Sequence, residues 1–167
     1  MEELEVGKVI ICKQIETSKN YEKFKKIINE NQINVLEICD GKKLNIEKDL
    51  YFEVIWPDNS NFIYENVLNN NSIVLKLYYN KFSILFTGDI EKIAEKAILQ
   101  KYSDKLQILN STVLKVAHHG SKTSSIQEFL KNVKPKIALI GVGENNKFGH
   151  PNDDVINRLE NLRHKNI

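Results

Sequence analysis

Apolar residues in this chain of 167 residues come in short runs separated by turn formers, the pattern of an α/β domain. Val6 to Cys12 (VGKVIIC) predicts a strand. Asn20 to Asn31 predicts a helix with Tyr21, Phe24, Ile27 and Ile28 along one face. Further strands are expected over Ile33 to Cys39, closed by Asp40-Gly41, and over Leu50 to Trp56, closed by Pro57-Asp58-Asn59-Ser60. Asn69-Asn70-Asn71 interrupts the chain before a strand over Ser72 to Tyr79, and Asn80-Lys81 is short enough to turn it back into Phe82 to Phe86 as a hairpin.

Beyond Phe86 helices and strands alternate. Helices are expected over Ile90 to Leu99, from Ser124 or Ser125 to Val133, and over Asp153 to Leu162, with strands over Val113 to Ala117 and Ile137 to Val142. Asp89 stands where it would cap the first of these helices, and Glu128 lies at capping-box distance from Ser125. Neither a repeat nor a Pro/Gly-rich linker divides the chain, so residues 1–167 are expected to form a single domain.

Composition narrows the function only slightly. A formal net charge of +2 is too small to announce a nucleic-acid binder, and the clusters Lys23, Lys25, Lys26 and Lys131, Lys134, Lys136 are expected to be solvated faces. Cys12 and Cys39 are too few for a disulfide framework and each ends an apolar run, which predicts small buried side chains, with a single bridge as the alternative. No apolar stretch approaches eighteen residues, and Met1-Glu2-Glu3-Leu4-Glu5 is acidic rather than signal-like. Taken alone the chain is expected to be soluble, whether or not it belongs to a membrane protein.

The candidate chemistry lies where the apolar runs stop. Phe86-Thr87-Gly88-Asp89 and Val116-Ala117-His118-His119-Gly120-Ser121 each place metal-ligand side chains after a run expected to be a buried strand, and Gly149-His150-Pro151 follows the next one. Carboxylate and imidazole at strand ends suit zinc or manganese and can activate a water. Gly88 permits a sharp turn that points Asp89 out of the sheet edge; the competing reading of Asp89 is the helix cap. Of the two histidines, His119 is assigned as the ligand and His118 as a group that supports the ligands from behind or faces the substrate, with the reverse assignment and a satisfied core histidine as alternatives.

His150, between a flexible approach and a rigid proline, can hold a phosphate or shuttle a proton, or simply cap the next helix. Ser121, Lys122, Thr123 and Ser124 offer donors to phosphate oxygens, or form a solvated helix approach. Asn71, in its asparagine run, is either a polar turn residue or the lining of a substrate pocket. Gly141-Val142-Gly143 is not a dinucleotide fingerprint, and His164 in the basic tail carries no argument.

Together these motifs resemble the metallo-β-lactamase superfamily, and more narrowly the C-terminal hydrolase-like domain of ComEC-type DNA-internalisation competence proteins. The resemblance rests on Asn70-Asn71-Ser72-Ile73-Val74-Leu75, Leu85-Phe86-Thr87-Gly88-Asp89-Ile90, Leu114-Lys115-Val116-Ala117-His118-His119-Gly120-Ser121 and Asn146-Lys147-Phe148-Gly149-His150-Pro151, and runs from about residue 5 to 162. It implies an αββα sandwich of mixed sheets with helices on the outer faces and a metal site at one sheet edge. Asp89 becomes the bridging ligand, one of His118 and His119 a terminal ligand, and His150 a pocket residue. The implied substrate is a phosphodiester, in handling the DNA strand that is not imported.

The family also carries an earlier His-x-His-x-Asp-His motif and a further histidine before the aspartate, whereas no histidine precedes His118 here. The expectation is therefore a truncated domain of a membrane-embedded competence protein, with an incomplete two-metal site and little turnover by itself. Apolar surface left uncovered is expected to promote a homodimer. Two rival readings stand beside it: a self-sufficient hydrolase of a small phosphoester or lactone, and a non-catalytic DNA-binding module built on Lys122 and its neighbouring hydroxyls.

Overall fold

A computed structural model describes residues 4–13, 15 and 17–163; the acidic start at Met1-Glu2-Glu3 and His164 lie outside them. Strand β1 (Lys8–Ile11), helix α1 (Lys19–Glu30) and strand β2 (Asn34–Glu37) form a parallel β-α-β unit. Strands β3 (Lys43–Glu47), β4 (Leu50–Trp56), β5 (Val74–Tyr79), β6 (Phe82–Phe86), β7 (Val113–Lys115) and β8 (Ile137–Leu139) form a six-stranded sheet in chain order. Strands β3 to β6 are antiparallel: short turns join β3 to β4 and β5 to β6, and a longer segment with a single helical turn joins β4 to β5. Longer crossovers make β6, β7 and β8 parallel, as crossovers must. One crossover holds helix α3 (Lys92–Lys101) and a 3-10 segment at Ser103–Leu109, the next holds α4 (Gln127–Val133), and α5 (Asp153–Arg163) follows β8.

The fold is thus mixed α/β, and most expected elements form within a few residues of their expected ends. The β5–β6 hairpin closes at Tyr79 and Phe82 around Asn80, whose φ of 52° suits a residue that tolerates the left-handed region. Ser18 caps α1 by accepting the Tyr21 N–H at 3.2 Å. Two elements escape the periodicity: β3, a mostly exposed edge strand, and the single-turn helix α2 (Val67–Asn70) inside the asparagine run. Cys12 is buried and its thiol donates to the Asn71 carbonyl at 3.2 Å; no disulfide joins it to Cys39.

The expected caps are replaced by tertiary ones. Asp89 does not cap α3, whose N-cap position is held by Glu91. Ile126, not a serine, stands at the N-cap of α4, and the acceptor for this turn is Glu95 of α3, which takes the Ser125 N–H at 2.5 Å and the Ile126 N–H at 2.8 Å. Arg158 of α5 donates to the carbonyls of Ser124 and Ser125 at 3.1 and 2.8 Å. One buried carboxylate and one guanidinium thereby fasten α3, α4 and α5 together. Burial pushes the Glu95 carboxyl up to about 7, against the opposing pull of those two N–H groups and Arg158.

These helices cover one face of the larger sheet. Trp56, Val74, Leu85 and Leu114 pack there with Ile90, Ala94, Ile98, Phe129, Leu130 and Val155. Lys76 also lies on this side, 3% exposed, donating to the carbonyls of Ile108 and Asn110 at the end of the 3-10 segment. Pairing register assigns Phe52, Leu77 and Ile84, then Leu75, Phe86 and Leu139, to the opposite face. Phe86, Ile137 and Leu139 are exposed there. Helices α3, α4 and α5 therefore flank one side of this mixed sheet.

Candidate functional site

Because β6 and β7 are parallel neighbours, their C-terminal ends bring Thr87-Gly88-Asp89 beside His118-His119. Two hydrogen bonds tie the segments: the Thr87 hydroxyl donates to the Lys115 carbonyl at 2.6 Å, and the His118 N–H donates to the Gly88 carbonyl at 3.0 Å. Gly88 has φ of 56° and packs so closely on Ser72 that a Cβ would lie 2.8 Å from the serine Cβ. Both histidines are left-handed, with φ of 48° and 55°. Such backbone costs on the order of 1–3 kcal/mol per residue and persists only where the surroundings enforce it. With the strand ended at Lys115, the rings escape the strict alternation that would send them to opposite faces.

His119 is oriented from behind. Its Nδ1 lies 2.6 Å from the Gly141 carbonyl, which can only accept, so Nδ1 carries the proton. Nε2 faces Asp89 Oδ1 at 3.7 Å. A backbone carbonyl holding one ring nitrogen while the other stays available is the support that metal-ligating histidines receive. The donor types suit a zinc or manganese ion, but the number falls short: among the described residues no three His, Cys, Asp or Glu side chains come together as a metal-holding group.

His118 has a carboxylate neighbour of its own. Its Nδ1 is 3.6 Å from Oε1 of Glu91, a buried carboxylate that accepts from Thr123 Oγ1 at 2.9 Å and Asn66 Nδ2 at 2.8 Å. Glu91 is the site residue that sequence reading missed. Its only signal is an acid two positions after Asp89, at a place expected to be an ordinary helical turn.

His150 completes the cluster, its ring 5.9 Å from that of His118 and 6.0 Å from that of Phe148. Asn146 holds it through both backbone groups, accepting the His150 N–H at 3.0 Å and donating to the His150 carbonyl at 2.7 Å. Behind it Gly120 leaves no room for a side chain: a Cβ would meet that of Pro151 at 2.8 Å. Among the described residues, the buried Nδ1 atoms of His118 and His150 have no hydrogen-bond partner. Burial, then the neighbouring His118 and His119, hold His150 below the ordinary imidazole range, which favours its neutral form near pH 7.

The remaining sequence candidates divide. Ser121 is buried beside the cluster, its hydroxyl 3.0 Å from that of Thr123, and Lys122 is exposed next to it. Asn71 is fully buried instead, accepting the Ile63 N–H and donating to the carbonyls of Ile63 and Val67. That placement makes Asn71 a pin for the 63–71 loop rather than a surface a substrate could touch. Asn70, also fully buried, accepts the Glu91 N–H at 3.1 Å, so the asparagine run supports the site from within.

No protein-family model matches the chain. ComE operon protein 3 of Bacillus subtilis (strain 168) is 33% identical over 155 residues, 93% of this chain and 19% of that protein. Competence protein ComA of Neisseria gonorrhoeae is 35% identical over 108 residues, 65% of this chain and 15% of that protein. Recombination protein 2 of Haemophilus influenzae (strain ATCC 51907 / DSM 11121 / KW20 / Rd) is 33% identical over 114 residues, 68% of this chain and 13% of that protein. The chain thus spans a fifth or less of each of these relatives' length. Among the described residues, no helix is long and apolar enough to cross a membrane.

Proposed function

From sequence shared with segments of competence proteins, which supports a competence-protein family, we propose that this chain is part of a metal-dependent phosphodiesterase domain acting on DNA during uptake. The domain is of the metallo-β-lactamase type and works as a portion of a larger membrane protein. The observation that carries the reading is the convergence of Asp89 with a His119 whose free nitrogen is set by the Gly141 carbonyl.

In this reading Asp89 and His119 would hold zinc or manganese. The ion, when bound, supplies Lewis-acid charge and lowers the pKa of a coordinated water. The chain's own residues do the rest. Buried Glu91 holds the His118 ring toward the site, and His118 orients the phosphate. His150, neutral near pH 7, is suited to accept a proton at its buried Nδ1. The exposed Lys122 ammonium stands ready for non-bridging phosphate oxygens, while the buried Ser121 hydroxyl is paired with that of Thr123. Two protein donors fall short of the usual four around zinc, so the remaining ligands come from other residues, and the chain by itself binds metal weakly.

Calorimetric metal titration and a manganese-dependent nuclease assay test this, on this chain and on a polypeptide of the relatives' length. Activity in the longer protein, lost on Asp89→Ala with at least a hundredfold fall in rate, supports it. A longer protein that is metal-free and inert, yet binds DNA in a strongly salt-dependent, chelator-insensitive way, favours the non-catalytic binding module instead.

A further inference from the structure

Phe148 is 82% exposed, more than any other large apolar residue described, although it does not sit on a loose segment. The loop is fastened two residues on either side of the ring by the paired Asn146–His150 hydrogen bonds, and from behind by the packing of Pro151 against Gly120. The ring lies 6.0 Å from that of His150 at an interplanar angle of 22°, so one face rests on the site and the rest is offered to solvent. Between Phe148, His150, His119, Val142 and Asn146 opens a cavity of about 190 Å³. An apolar ring left in water beside the histidine cluster forgoes the burial that normally places it inside.

We propose that Phe148 is a stacking platform for an unpaired nucleobase, which places a single-stranded segment of the nucleic acid, not the intact duplex, next to the Asp89–His119 pair. This rests on the phosphodiesterase reading and names its substrate more narrowly. Aromatic rings take successive bases by their faces regardless of sequence, and a base in a duplex has no face to offer. The surroundings suit a base better than a lipid chain or an apolar peptide: His119, His150 and Asn146 border the ring, and Lys147 precedes it. Lys147 and Glu144 leave the loop nearly neutral, so attraction for the strand comes from ring stacking here, with the phosphate charge met by exposed Lys122 beside the cluster.

The test uses fluorescence anisotropy with this chain and three probes: a labelled oligothymidylate, the same backbone with abasic positions, and a duplex. Phe148→Ala is expected to weaken the oligothymidylate by roughly tenfold and leave the abasic backbone unchanged, and Phe148→Trp is expected to restore binding with the indole quenched by the bases. Thermal melts of the variants, at so exposed a position, should match the parent. Equal binding of thymidylate by Phe148→Ala, or a loss shared by the abasic probe, overturns the platform while leaving DNA as the substrate. Preference for the duplex also overturns it. No binding of any probe overturns the platform together with the DNA reading on which it rests.

Discussion

Leu85 and Phe86 are neighbours on β6, yet the first is fully buried and the second is 37% exposed. The same contrast returns at the β8 edge, although Val54 and Val113, on Phe86's side by register, are buried. On Leu85's side α3, α4 and α5 supply a continuous apolar layer, and the polar groups trapped beneath it, Lys76 and Glu95, are each satisfied by backbone partners. On Phe86's side Phe52, Leu77, Ile84 and Leu139 are just as apolar, but the register leads them to a face with Ile137 and Leu139 in the open. Apolar character in a strand therefore says that a face is suited to cover, while the neighbouring layers decide whether it is covered.

The sharpest way to break this comparison is a matched pair of truncations followed by urea unfolding. Leu85→Ala is expected to cost about 2–5 kcal/mol through lost burial and the cavity left behind. Phe86→Ala should cost below about 1 kcal/mol, the range of a substitution that opens no cavity. Equal costs would mean that the second face is covered after all.

The polar groups under the covered face sharpen it next. Glu95 has a folded pKa of about 7 against a reference value of 4.5, so the fold favours its protonated form. Its contribution to stability is present below about 4.5 and is lost as pH rises through about 7, a decline of up to about 3 kcal/mol. Glu95→Gln should flatten that part of the stability curve; an unchanged curve would assign the decline to other groups.

The smallest effect concerns the open face. A solution of the chain is expected to self-associate with rising concentration through this surface, and Ile137→Lys with Leu139→Lys should shift light scattering toward monomer with little change in melting temperature. A parent chain that stays monomeric at high concentration would overturn the homodimer expected from the sequence.

How much of this was legible in sequence depends on distance along the chain. The β5–β6 hairpin and α1 were readable because a turn residue and a 3.6-residue period are local facts. So were the strand-end motifs at Asp89 and His118-His119, and the loop motif at His150. The helix starts misled, because Asp89 and Ser125 are plausible caps by local rules and the structure satisfies α4 with Glu95, some thirty residues away. Edge strand β3 was missed since its exposed, charged residues carry no apolar alternation. Glu91 was missed since its partners, Asn66 and Thr123, come from two other loops.

By itself, then, the sequence determined most of the strands and helices, β3 and α2 excepted, and placed Asp89 and His118-His119 at strand ends, because hydrophobic period and turn chemistry act over a few residues. Only the tertiary structure decided that His119 turns its Nε2 to Asp89, that Glu91 backs His118, that Asn71 is an interior pin and that Phe148 stays in water. Each of those outcomes needs a partner brought in by sheet register or helix packing. Carbonyl, carboxylate and ring contacts form only after the chain has paid the entropy of bringing distant segments together.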